Sequence, residues 1–260
     1  MSNLLRVENI NKSFNQASVD CVEVFIDFSL SIEEGEFVSV VGSNGSGKTT
    51  LLNIISGNIT IDSGEIYLKD ERISGIKEYL RARRIGRVYQ NPALGTAPDM
   101  TIAENLSLAE NKGNIYGMSL ALSKRKIAYY KELLKPLNLG LENKINVKVK
   151  FLSGGERQAL ALLMVTMQPI DILLLDEHTA ALDPVTSQMV MELTDKIIKS
   201  KKITTIMVTH NLRFACEYGS RLLMMNKGEI VVDVSGDKKE KTKVEDLLQV
   251  FNEISIECGN

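Results

Sequence analysis

Clustered cysteine is absent from this chain. Cys21, Cys216 and Cys258 lie far apart, with no CxxC pair. That excludes a disulfide framework and a cysteine-ligated metal, and points to free thiols in a reducing compartment. A basic excess is absent too. The formal net charge is -2 over 260 residues, so no overall field draws nucleic acid. No apolar run approaches the roughly 20 residues that a membrane helix needs. The richest, "ALALLMVTM" from Ala159 to Met167, stops at Gln168 and Pro169. The opening "MSNLLRVENINKSF" has no basic segment followed by an apolar one, so no signal peptide is expected. Internal repeats and low-complexity segments are missing as well. What remains, 44% hydrophobic and 25% charged, is the composition of a soluble globular protein with a real core.

Along the chain the first third reads as strands and turns. "LLRVENI" and "VEVFIDFSLSI" are β-type segments. "FVSVV", Phe37 to Val41, has the valine-rich apolar run of a buried central strand. The apolar spacing in "KTTLLNIISG" predicts a helix that ends at Gly57. "SGEIYLKDERI" returns to strand. From about Asn91 to Gln168 the pattern becomes helical, with Ser123 as N-cap of one helix. From Ile170 the α/β alternation resumes. "DILLLDE" and "ITTIMVTH" read as buried strands, and Asp183 and Pro184 as the start of a helix. "NKG" at Asn226 to Gly228 predicts a hairpin, and the lysine-rich "GDKKEKTK" a solvated turn. An α/β core, residues 1–90 and 169–260, is thus expected to be interrupted by a helical insert at 91–168.

Between "FVSVV" and its helix, Gly42, Ser43, Asn44, Gly45, Ser46, Gly47, Lys48, Thr49 and Thr50 form a GxxxxGK[ST] loop. Its glycines let backbone N–H groups turn toward a phosphate, and the helix that follows adds its positive dipole end. Lys48 would reach the β- and γ-phosphates, and the Thr49 hydroxyl would ligate Mg²⁺. In "ILLLDE" the carboxylates of Asp176 and Glu177 fall at the carboxyl end of a buried strand, where ligands bind in open α/β sheets. Asp176 would hold Mg²⁺ through water, and Glu177 would act as general base on the attacking water. His210, at the end of "TTIMVT", should sit beside Glu177 and the γ-phosphate. Far downstream of the loop, Ser153, Gly154, Gly155 and Glu156 open another helix whose free N–H groups suit a phosphate. One nucleotide held at Lys48 would not need that second anion site from the same chain.

These motifs, in this order, resemble the ATP-binding-cassette ATPases over nearly the whole chain. The resemblance implies a P-loop NTPase core with a mixed sheet, an N-terminal antiparallel β subdomain and an inserted α-helical subdomain. It implies that Phe14 stacks on adenine, that Gln90 in "VYQNP" is the Q-loop glutamine and reaches Mg²⁺ and water, and that "LSGGERQ" is the signature motif. Asp183 would be the D-loop aspartate and His210 the switch histidine. Two copies would then face head to tail, with the signature of one closing over the triphosphate on Lys48 of the other. ATP and Mg²⁺ are the implied ligands. "NPALGTAPDMTIAENLSLAENKG" and "LLLDEHTAALDP" look like ATPases of bacterial importers for tryptophan or tyrosine.

Such an ATPase would lie on the cytoplasmic face of the cell membrane. A separate permease would dock near Gln90 to Met100, over residues such as Pro92, Ala93, Leu94 and Ala97, and a substrate-binding protein would be an indirect partner. A soluble cassette ATPase, of the iron–sulfur cluster assembly type, is the alternative. One departure is His178, where the family usually has proline; it either tunes the pH response of Glu177 or simply substitutes in a turn. The arginines Arg81, Arg83, Arg84 and Arg87 form either a solvated edge or a face toward membrane or permease.

Overall fold

Alternation of apolar and polar side chains builds the first two strands. Asn3–Phe14 (β1) and Val22–Glu33 (β2) pair antiparallel and bury Leu5, Val7, Ile10, Phe25 and Ile32 on one face. The computed structural model describes residues 3–15, 20–112 and 122–257, the last four of these as backbone only, so Cys258 lies outside the described residues. Phe37–Gly42 (β3) is buried at every position, as its unbroken apolar pattern requires. Lys48–Ser56 (α1) follows, and Gly57 ends it at φ +88°, donating its N–H to Asn53 and Ile54 carbonyls. Ser63–Leu68 (β4) pairs with β1, and Glu71–Arg72 (β5) with β4. A single turn, Glu78–Arg81 (α2), leads into Ile85–Val88 (β6).

Helices then dominate. Ile102–Glu110 (α3) starts at a capping box of Thr101 and Glu104, and Lys124–Leu134 (α4) at Ser123, whose hydroxyl accepts the Lys126 N–H. Gly154–Thr166 (α5) completes this group, which closes on its own core of Leu106, Tyr130, Leu134, Leu141 and Leu160. Ile172–Asp176 (β7), Pro184–Lys201 (α6), Thr204–Val208 (β8) and Leu212–Glu217 (α7) resume the alternation. Asp183 caps α6 through the Thr186 N–H at 3.1 Å, with Pro184 at its first position. Arg221–Asn226 (β9) and Glu229–Ser235 (β10) form the hairpin around Lys227, and Gly236–Lys241 (α8) and Val244–Glu257 (α9) follow.

Among the described residues the strands form two sheets. One is antiparallel, in the order β2-β1-β4-β5. The other is mixed, in the order β10-β9-β3-β8-β7-β6, with β10 antiparallel to a parallel remainder. This is the α/β architecture expected of a P-loop NTPase. Helix α1 packs between the sheets and contributes Leu51, Leu52, Ile54 and Ile55 to their shared core. Each side chain is at most 1% exposed, so each is worth about 1.5–3 kcal/mol of burial.

Two expectations need correction. "GDKKEK" is helix α8 rather than a solvated turn, because Lys239 is buried and its ammonium donates to the Cys216 carbonyl at 2.6 Å. Nor do the arginines form one exposed edge. Only Arg83 is exposed, whereas Arg81 is 5% exposed and donates to four carbonyls: Ile54, Ile55, Ser74 and Ile76. Two of those carbonyls end α1, where a cation complements the helix dipole. Arg84 pairs with Asp171 and Glu71, and Arg87 with Asp176.

Candidate nucleotide site

The loop from Gly42 to Gly47 runs from the carboxyl end of β3 into α1. At Gly42 φ is +155°, and a Cβ there would meet the Met225 carbonyl oxygen at 2.2 Å, so β9 leaves no room for a side chain. The Ser46 N–H turns back to the Ser43 carbonyl at 3.2 Å, and the Ser46 carbonyl accepts the Gly228 N–H at 3.1 Å. Ser43, Asn44 and Gly45 are exposed, Gly47 and Lys48 buried, and Thr50 half-buried. Gly47 offers no side-chain cap. The N–H groups of Gly45, Gly47, Lys48 and Thr49 have no protein acceptor among the described residues. Together with the helix dipole they make an anion cradle.

Lys48 Nζ lies over that cradle. It donates to the carbonyls of Gly42 at 2.8 Å and Ser43 at 2.7 Å. Burial holds its ammonium below the usual lysine range, while the Glu177 and Asp176 carboxylates act the other way. The Thr49 hydroxyl lies 3.4 Å from Asp176 Oδ1. Asp176 ends β7 and Glu177 follows at φ +48°, a left-handed conformation that costs a residue with a side chain on the order of 1 kcal/mol. The Glu177 N–H donates to the Val208 carbonyl at 2.9 Å, fixing that turn against the end of β8. His210, just past β8, brings Nε2 to 2.6 Å from Glu177 Oε1.

Lys48, Thr49, Asp176, Glu177 and His210 therefore converge at the carboxyl ends of adjacent strands β3, β8 and β7. Gln90 follows β6, the neighbour of β7, and Phe14 lies in the other sheet. Gln90 is exposed and lines a cavity of about 330 Å³ with Asn91, Pro92, Arg157, His178 and Leu182. No hydrogen bond joins it to Thr49 or Asp176 among the described residues. Phe14 ends β1, half-buried, with the Lys12 ammonium 5.3 Å from its ring centroid.

Ser153, Gly154, Gly155 and Glu156 form the start of α5, where Gly154 lines the same cavity as Gln90 and His178. Ser153 Oγ accepts the Glu156 N–H at 3.2 Å, and Glu156 returns by accepting the Ser153 N–H at 2.9 Å. Lys144 holds the other Glu156 oxygen at 2.6 Å. Glu156 is thus committed to the cap, and the N–H groups of Gly154 and Gly155 have no acceptor among the described residues. Among the described residues no hydrogen bond joins this helix start to Lys48, Thr49 or Glu177.

Two further side chains pack around the site. Gln158, buried on α5, donates to the Tyr89 carbonyl at 3.1 Å and so ties the helix to the backbone beside Gln90. His178 is fully buried, with Nε2 3.2 Å from Thr194 Oγ1. The Thr194 hydroxyl spends its proton on the Val190 carbonyl, so the imidazole donates and its Nε2 carries the hydrogen. Burial pushes this imidazole down to about 4, which leaves it neutral at ordinary pH.

The sequence pattern of the ABC transporter family matches residues 25–180. A tyrosine transport ATP-binding protein from Clostridioides difficile is 49% identical over 248 residues, covering 95% of this chain and 98% of that one. A xylose/arabinose import ATP-binding protein from Sulfolobus acidocaldarius is 33% identical over 258 residues, with 98% and 96% covered. Among solved structures, an ATP-binding cassette in a dimeric post-hydrolysis state, bound to ADP and Pi, superposes with a TM-score of 0.75 at 29% identity. That match covers 89% of this chain and 98% of the other. On its sequence, its fold and its relatives, this chain belongs to the ABC transporter family.

Proposed function

We propose that the chain is the ATP-binding and ATP-hydrolysing subunit of an importer for a small solute, working as a head-to-tail dimer. One observation carries this reading. A cluster around Lys48 and Glu177 coexists with an open, capped helix start at Ser153 that, among the described residues, no hydrogen bond joins to it. A second copy supplies the missing half. The dimeric ADP-bound cassette among the structural relatives supports this arrangement.

In this reading the N–H cradle and Lys48 bind the β- and γ-phosphates, and Phe14 stacks on the base. Thr49 Oγ1 and Asp176 Oδ1 are hard oxygen donors facing one another, a set that fits Mg²⁺, with Gln90 joining on closure. The ion when bound neutralises phosphate charge. Glu177 Oε orients the attacking water and takes its proton, while His210 holds that carboxylate in place. Ser153, Gly154 and Gly155 of the second copy donate to the γ-phosphate, and Asp183 caps the adjoining helix of that interface. Loss of phosphate removes the bridge and lets the dimer open. The core, 1–90 and 169–260, would carry the triphosphate, and the helical subdomain, 91–168, would carry the signature that closes over the triphosphate of the other copy.

Among the described residues no helix is long and apolar enough to cross a membrane, so the pore belongs to separate permease subunits. Leu94, 70% exposed, with half-buried Pro92, Ala93, Ala97 and Met100, offers the surface for them. The relatives' names favour import, and the 49%-identical one favours tyrosine or a similar aromatic amino acid. The chain would then lie on the cytoplasmic face, with an external substrate-binding protein completing the system. Affinity purification from detergent-solubilised membranes tests this. A multi-span protein should be recovered, and Leu94→Glu should release it. Recovery of no integral-membrane partner would overturn the importer in favour of a soluble cassette ATPase of the iron–sulfur assembly type.

A further inference from the structure

Arg87 lies on β6, three residues before Gln90, at the junction of three elements. Its Nη2 donates to Asp176 Oδ2 at 2.6 Å. Its Nη1 donates to Asn53 Oδ1 on α1, also at 2.6 Å, and lies 3.3 Å from Ser56 Oγ. The guanidinium carbon sits 4.7 Å from the centroid of the Tyr89 ring. Strand alternation explains this placement. A Cβ on Gly86 would meet Val165 of α5 at 2.5 Å, so Gly86 faces α5 and Arg87 faces α1.

The pair is buried. Side-chain exposure is 8% for Arg87 and 11% for Asp176, and Arg87 Nε is buried with no acceptor among the described residues. Desolvation offsets most of what such a pair adds to stability, so folding alone does not account for it. Its effect on Asp176 is specific. One carboxylate oxygen is taken by the guanidinium, and Oδ1 is left toward Thr49. The carboxylate is thereby locked in orientation and stripped of much of its net charge.

We propose that Arg87 is a positioning residue that fixes Asp176 toward Thr49 and weakens the hold of that oxygen pair on a free divalent cation, so that the cation enters with the nucleotide rather than ahead of it. This rests on the ATPase reading above, in which Thr49 and Asp176 face Mg²⁺. The two effects of Arg87 oppose each other, since orientation favours a cation and positive charge repels it. At a separation of about 6 Å, repulsion between a guanidinium and a divalent ion weakens binding about tenfold even in a water-like dielectric, and more where the pair is buried, so charge dominates.

The test is Mn²⁺ titration of the full chain at pH 8 without nucleotide, followed by the electron paramagnetic resonance signal of free Mn²⁺. Arg87→Gln should bind Mn²⁺ about tenfold more tightly than the wild type. Adding Asp176→Asn should erase that gain. Arg87→Lys, which keeps the charge, should stay within about threefold of the wild type. Thermal melts in EDTA establish that each variant is folded. Should Arg87→Gln fail to fold, Arg87→Met, which also removes the charge, takes its place with the same tenfold expectation, and equal affinity there would overturn the inference. Equal affinity in Arg87→Gln and wild type, or a gain that survives Asp176→Asn, would overturn the inference. Nucleotide binding in the presence of Mn²⁺ separates the two readings: its absence in the wild type would sink the ATPase reading and this one with it. Normal binding with an unresponsive Arg87 would sink this one alone.

Discussion

His210 Nε2 lies 2.6 Å from Glu177 Oε1, although the two side chains leave different strands. The imidazole is 45% exposed and the carboxylate 15%. The histidine therefore reaches in from the open side of the site and pins an acid held in a strained turn. His210→Ala should leave ATP binding within a few-fold and lower turnover about a hundredfold. Equilibrium binding of a fluorescent ATP analogue and steady-state phosphate release separate the two effects. Unchanged turnover would remove His210 from the mechanism.

Arg81 makes a prediction about folding. Its guanidinium satisfies four carbonyls between the last turn of α1 and the 74–76 segment. Arg81→Ala leaves those acceptors buried and should cost about 3–5 kcal/mol in urea unfolding. Arg81→Lys cannot reproduce the fork and should recover less than half of it. A loss below about 1 kcal/mol would show that water readily replaces the side chain there.

His178 sets a pH dependence of stability. Its folded value is about 4, against roughly 6.5 in an unfolded chain. Between those values the unfolded chain binds the extra proton, so stability is full above pH 6.5 and falls as pH drops toward 4. At pH 5 the loss is about 2 kcal/mol. His178→Gln should shrink the difference between urea unfolding at pH 7 and pH 5 by about that amount, with nucleotide and divalent cations absent. An unaltered difference would mean that the imidazole is charged in the folded chain.

The alternating sheet-and-helix order and the buried strands β3, β7 and β8 were legible because each is a short apolar run ending at a polar residue. The loop at Gly42 and the acids after "ILLL" were legible for the same reason, as chemistry placed where such strands stop. Arg87 was not, because its partner is set by which face of a four-residue strand meets α1, a fact of packing. Arg81 and Lys239 were misread through composition. A charged residue signals solvent on average, but a long side chain that reaches free carbonyls is retained inside. His178 sits two residues from Asp176 and turns instead toward Thr194 on α6, which sequence adjacency to Glu177 conceals.

The account turns on two chains sharing each triphosphate. Light scattering of the Glu177→Gln variant, which should bind ATP without hydrolysing it, measures this directly. The account predicts a mass that doubles with ATP and not with ADP, and a second substitution, Ser153→Arg, that abolishes the doubling while the monomer still binds ATP. A variant that binds ATP and keeps the mass of one chain, or a doubling indifferent to Ser153→Arg, would contradict it.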